Sequence, residues 1–120
     1  MRTASLLRES VDAICAELPG AELALAEDEI PSWKVGGKMF ACFGHKYPGV
    51  AVKCDTVETA TMLIEAGVAE RAPYFHKSWV RLPDDAAPEE GTHRVTTSYD
   101  LIRAKLPKSV RDGLPSRKGA

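Results

Sequence analysis

Two short apolar runs flank a pair of glycines near the middle of this chain, and no other stretch constrains the fold as strongly. Ser32-Trp-Lys-Val precedes Gly36-Gly37, and Lys38-Met-Phe-Ala-Cys-Phe43 follows it. Glycine accepts the positive φ that a two-residue hairpin turn demands, so the segment predicts an antiparallel β-hairpin. Gly44 to Gly49 (GHKYPG) supplies a second turn and Val50–Cys54 a third strand, which makes a meander. Pairing across the glycines sets Trp33 opposite Phe40 and Lys34 opposite Met39. Trp33, Phe40 and Cys42 then share one face with Val50, Val52 and Cys54, and this face is assigned to the core. The opposite face carries Lys34, Met39, Ala41, Phe43 and Lys53. Phe43 is also compatible with the inward side, because the register after it is open.

Helical periodicity brackets the meander. Leu7, Val11, Ile14, Cys15 and Leu18 mark one face of a first helix that Pro19-Gly20 stops. A short strand, Glu22–Ala26, and an acidic turn through Asp28, Glu29 and Pro31 lead into the hairpin. After it, Asp55 is placed to cap a second helix, with Glu58 completing a capping box and Gly67 closing the far end. Val57, Ala60, Leu63 and Ile64 share its apolar face. Two strands, Ala72–Phe75 and Ser78–Leu82, are expected next. Val95, Tyr99, Ile102 and Leu106 then mark a long last helix that Pro107 interrupts, with room for one more turn beyond. The order α-β(3-4)-α-β(1-2)-α predicts an α+β, two-layer domain: an antiparallel β-sheet with helices packed on one face. Residues 1–114 are expected to form that single domain and 115–120 a flexible basic C-terminal tail.

The residues argue against most site chemistry. Gly36-Gly37-Lys38 lacks the glycine spacing and following Ser/Thr of a phosphate loop, and a strand rather than a helix follows it. Cys42 and His45 make one C-x-x-H pair without a second close pair, so no metal is expected. Cys42 and Cys54 read as small apolar residues on neighbouring strands. His76 reads as a loop or strand-end histidine engaged in a hydrogen bond. The acid pairs Asp84-Asp85 and Glu89-Glu90 suit a solvated loop and a helix start. No nucleophile with a matching base and acid stands out, so neither an enzyme nor a cofactor is expected. The three cysteines are odd in number and widely spaced, unlike a disulfide framework. No stretch is apolar enough for a membrane span, and a cytoplasmic setting is expected.

Charge is more informative once its position is considered. Sixteen Lys and Arg against seventeen Asp and Glu give a formal charge of −1. Residues 9–29 carry seven acids and no base, whereas residues 30–54 carry four lysines (Lys34, Lys38, Lys46, Lys53) and no acid. Residues 94–120 carry seven bases against Asp100 and Asp112. The chain thus pairs an acidic first helix with a basic meander and a basic C-terminus.

Four segments in order now resemble one family: Lys34-Val-Gly-Gly-Lys-Met-Phe-Ala41, Val52-Lys-Cys-Asp55, Pro73-Tyr-Phe-His-Lys-Ser-Trp-Val80 and Ser98-Tyr-Asp-Leu-Ile-Arg-Ala-Lys-Leu-Pro-Lys108. Together they look like the MmcQ/YjbR family of small bacterial proteins. The segment from Tyr74 to Trp79 is shorter than the Tyr-His-x-Asn-Lys-x-His-Trp version in other members, so His76 is not equated with either family histidine. The resemblance implies an α/β fold like that of secretion chaperones. It also implies DNA binding through β-hairpins, with no agreed catalytic set or cofactor.

Two functions follow as expectations. In the first, the chain binds DNA: Lys34, Lys38, Lys46 and Lys53 on the meander and Arg103, Lys105, Lys108 and Arg111 at the C-terminus contact phosphates. In the second, Met39 and Phe43 form a surface for a second copy of the chain or for a peptide. An enzyme would require an organised pocket around His76, Tyr74 and Lys53.

Overall fold

The structure is a computed structural model that describes residues 6–24, 31–43, 49–72 and 75–115. Helix α1 (Leu6–Glu17) leads into strands β1 (Ala21–Ala24), β2 (Ser32–Val35), β3 (Lys38–Phe43) and β4 (Val50–Lys53). Helix α2 (Val57–Glu65) precedes β5 (Glu70–Arg71) and β6 (Trp79–Leu82), and helices α3 (Pro88–Ala104) and α4 (Lys108–Asp112) complete the fold. Among the described residues the strands form one antiparallel sheet in the order β1-β2-β3-β4-β6-β5. The helices pack on one face of this sheet, so the predicted α+β, two-layer arrangement is the observed one.

That helical side holds the main core. Leu7, Val11, Cys15 and Leu18 of the α1 stripe meet Ala60 and Leu63 of α2 and Val95 and Tyr99 of α3 over Trp33, Phe40, Val52, Val80 and Leu82. Gly91 lets α1 and α3 approach closely, because a Cβ there would come within 2.4 Å of Leu7 Cδ1. Phe40 meets Tyr99 edge-on, with ring centroids 5.3 Å apart, in the geometry that the ring quadrupoles favour. Asp12 ties α1 to β2 by accepting from Trp33 Nε1 at 2.9 Å and Arg8 Nε at 3.0 Å.

The hairpin forms where the glycines predict it, but its register departs from the simple count. Lys34 faces Met39 as expected, whereas Trp33 faces Ala41, with a bulge between the two pairs. Phe40 is the extra residue, and an extra residue reverses the alternation of every side chain after it. Phe40, Ala41 and Phe43 consequently all join the helical core, while Cys42 turns to the other side. The assignments of Cys42 to the core and of Ala41 and Phe43 to the open face are both corrected by this bulge. Val50, Val52 and Cys54 lie in the core as expected.

Other boundaries shift for local reasons. Thr56, not Asp55, caps α2: its hydroxyl accepts from the Thr59 amide at 3.0 Å. Val57 is exposed, leaving Ala60 and Leu63 as the buried anchors of that helix. Strand β5 forms at Glu70–Arg71, ahead of the predicted Ala72–Phe75, because Glu70 and Arg71 pair with Arg81 and Val80. Helix α3 starts at Pro88, where proline's missing amide donor is harmless in a first turn. Leu114 packs against the core and Pro115 accepts a hydrogen bond from Arg103, so the chain stays docked through 115. The rest of the predicted tail, 116–120, lies outside the described residues.

Candidate nucleic-acid interface

The hairpin turn sits on the C-terminal helices. At Gly36, whose φ is +58°, a Cβ would lie 2.6 Å from Leu106 Cδ1 and 3.0 Å from Val110 Cγ1. Leu106 is buried between α3 and α4, so the hairpin tip and the α3–α4 junction form one end of the molecule. Lys38, Lys105, Lys108 and Arg111 are exposed there. Lys108 spends part of its charge on Asp112, 2.8 Å away, but both side chains are well exposed and such i,i+4 pairs are weak.

The meander lysines divide between faces. Lys34 lies on the open face opposite Met39, between Trp33 and Val35, which enter the core. Lys53 is on the same face, opposite Trp79 across the β4–β6 pair. Lys46 lies outside the described residues.

Lys53 is held at both its backbone and its side chain. Its amide donates to Ser98 Oγ at 2.9 Å, and Ser98 donates in turn to the Phe40 carbonyl at 2.7 Å. Ser98 is fully buried and bridges β3 and β4 just beyond their last paired residues, Ala41 and Val52. The Lys53 ammonium donates to Ser78 Oγ at 2.9 Å, and Ser78 Oγ lies 3.0 Å from His76 Nδ1. The Ser78 amide also donates to His76 Nδ1, at 3.1 Å. That nitrogen is thereby assigned as an acceptor and the ring proton placed on Nε2. Ser78 is buried, so the chain Lys53–Ser78–His76 orients an ammonium rather than exposing a nucleophile. The Lys53 pKa lies below the ordinary lysine value, chiefly because the group is partly desolvated and then because Lys105's charge is near. Two ammoniums that repel across one end of a protein make a place where an anion is welcome.

Beside Lys53, the rings of Phe75 and Trp79 stack with centroids 4.9 Å apart and planes 22° from parallel. They lie with Met39 over Cys42, Ala51 and Ala72 in a second apolar cluster on the open face. The short turn that carries the rings is tied by the Trp79 amide donating to the His76 carbonyl at 2.9 Å. This aromatic pair was not among the residues expected from the sequence, although Phe75 and Trp79 sit four apart in a turn. Tyr74 lies outside the described residues.

Two expected site residues have structural duties instead. Arg103 donates to Tyr99 Oη at 2.6 Å and to the Pro115 carbonyl, while Tyr99 donates to the Pro19 carbonyl at 2.6 Å. It straps α3 to the α1–β1 connection and to the chain end. Phe43 is buried beneath Arg8, whose guanidinium carbon lies 3.8 Å from the ring centroid, and so presents no partner surface. Met39 remains half-buried on the open face. All three cysteines are unpaired and buried; burial raises the pKa of each, and Asp12 adds to the effect at Cys15. No group of three metal-ligating side chains occurs among the described residues. Nor is any helix among them long and apolar enough to cross a membrane.

A six-stranded antiparallel sheet with helices on one side and a basic end defines a small α+β protein. The YjbR family model matches residues 16–101, and the chain belongs to the YjbR family. The crystal structure of the Deinococcus radiodurans protein DR2400, a DUF419-domain protein, has the same fold. It superposes with a TM-score of 0.78 at 24% identity, covering 99% of this chain and 97% of that one. No curated protein sequence matches the chain.

Proposed function

We propose that this chain is a non-enzymatic DNA-binding protein that holds the phosphate backbone with its basic end. The observation that carries the reading is the seating of Gly36 on Leu106 and Val110. It joins Lys38 of the hairpin to Lys105, Lys108 and Arg111, which are remote in sequence, in one exposed patch. Arg103 is left out of the contact set because its donors are engaged within the protein. The unpaired buried thiols suit a reducing cytoplasm.

Such contacts release counterions and are therefore salt-dependent. Four phosphates neutralised would give a log–log salt slope of about −3.6 on duplex DNA, and Lys108→Ala with Arg111→Ala about −1.8. Fluorescence anisotropy across a salt series measures both slopes. Absence of binding at low salt, or a slope the double variant leaves unchanged, defeats the proposal.

The second reading is a partner-binding module, and the half-buried Met39 on the open face favours it. It requires a concentration-dependent dimer, or a bound peptide, that Met39→Glu weakens. Analytical ultracentrifugation showing a monomer throughout, with no peptide bound, would count against it.

A further inference from the structure

Within the nucleic-acid reading, which this inference rests on, the open face differs from the helical end in carrying rings as well as cations. Strand register places Lys34 and Met39 opposite each other on β2 and β3, and Lys53 and Trp79 opposite each other on β4 and β6. Neighbouring strands are about 4.8 Å apart, so the row crosses the sheet in roughly 15 Å. Phe75 extends it by stacking on Trp79. The other open-face row runs through the small side chains Ser32, Cys42 and Ala51 and ends in Arg81, which pairs with Glu70 on β5.

We infer that this row is a subsite for single-stranded nucleic acid, in which an unpaired base stacks on the Phe75–Trp79 pair while Lys53 and Lys34 take the flanking phosphates. Three observations converge on that occupant. The rings are already parallel and half-buried, so a third plane extends an existing stack without ordering a loose side chain. Lys53 is aimed by Ser78 beside Trp79, which sets a cation next to the stacking surface. Beside the rings the charge is cationic through Lys53 and Lys105, complementary to a phosphate chain and adverse to a basic partner. At the far end of the row Lys34 has Glu22 opposite it on β1. A duplex keeps its bases inside its own stack and cannot use the rings; a single strand can, and stacking on aromatic side chains tolerates any base.

The test compares a 12-nucleotide oligo(dT), an abasic strand of the same length and a 12-base-pair duplex at one low salt concentration. Anisotropy is read with wild-type protein, Phe75→Leu and Trp79→Leu. Oligo(dT) should bind about tenfold or more tighter than the abasic strand. Each ring variant should lose most of that advantage while keeping duplex affinity within about twofold. The abasic strand reads base stacking on unaltered protein, so the result stands even where Trp79→Leu fails to fold. Equal binding of oligo(dT) and abasic strand overturns the subsite and leaves backbone binding intact. Failure of all three nucleic acids to bind overturns the underlying reading as well.

Discussion

Ser98→Ala tests the junction on which both the sheet and Lys53 depend. The Ser98 hydroxyl lies 2.9 Å from the Lys53 amide nitrogen and 2.7 Å from the Phe40 carbonyl oxygen. At a tetrahedral oxygen those backbone atoms stand about 4.6 Å apart, beyond the roughly 2.9 Å of a direct bond. Closing the gap would shift one strand by about 1.7 Å to reach that bonding distance. Phe40 resists such a shift because its ring is fully buried against Tyr99. The variant therefore strands a carbonyl and an amide, each worth about 1–3 kcal/mol when buried and unsatisfied. Lys53 is only partly buried, so water rescues some of its share and the expected loss is about 2–4 kcal/mol. At about 4 °C per kcal/mol for a domain of this size, the melting temperature should fall by roughly 8–16 °C. Urea unfolding followed by circular dichroism measures the loss, and amide hydrogen exchange at Lys53 should speed up in parallel. A change below about 0.5 kcal/mol, typical of an indifferent surface site, together with unchanged Lys53 protection, would refute the bridge.

Two further predictions probe the same end. Gly36→Ala and Gly37→Ala both force alanine to positive φ, +58° and +82°, at about 1–2 kcal/mol each. Only Gly36→Ala also presses on Leu106 and Val110, since a Cβ at Gly37 meets nothing within 4 Å. Gly36→Ala should thus be the more destabilising in a thermal melt and should alone weaken duplex binding; equal effects would mean that the hairpin does not rest on α4. Lys53→Met concerns pH. The folded pKa of Lys53 lies below the ordinary 10.5, so between those values the unfolded chain binds more protons and stability rises with pH. Below that window both states are charged and the native state bears the desolvation penalty. The stability of Lys53→Met relative to wild type should therefore fall as pH climbs from 7 towards 10.5, read from urea midpoints. A difference independent of pH would show that Lys53 is not desolvated in the native state.

Much of the fold could be read along the chain because it depends on near neighbours. The α1 stripe needs only helical spacing, and Gly36-Gly37 needs only a turn that accepts positive φ. The β3 bulge was hidden because it arises from pairing between strands, and the hydroxyl that takes up the Phe40 carbonyl, Ser98, is 58 residues away. It reversed Cys42 and Phe43 and removed Phe43 from the candidate surface. Arg103 looked like any other base of a cationic terminus. Its commitment to Tyr99 and Pro115 depends on where the chain end docks. The Phe75–Trp79 stack lacked a sequence signal stronger than two aromatics in a turn.

By itself, then, the sequence determined the element order, the helix faces, the hairpin and the separation of acidic from basic segments. These follow from backbone conformational preferences and side-chain periodicity, which act over a few residues. Tertiary structure alone decided which bases share an end, which one is tied up internally, and which face of β3 each residue shows. Those outcomes depend on long-range packing: a glycine without a Cβ lets the hairpin rest on Leu106 and α4, and a buried hydroxyl bridges β3 and β4 where their ladder ends.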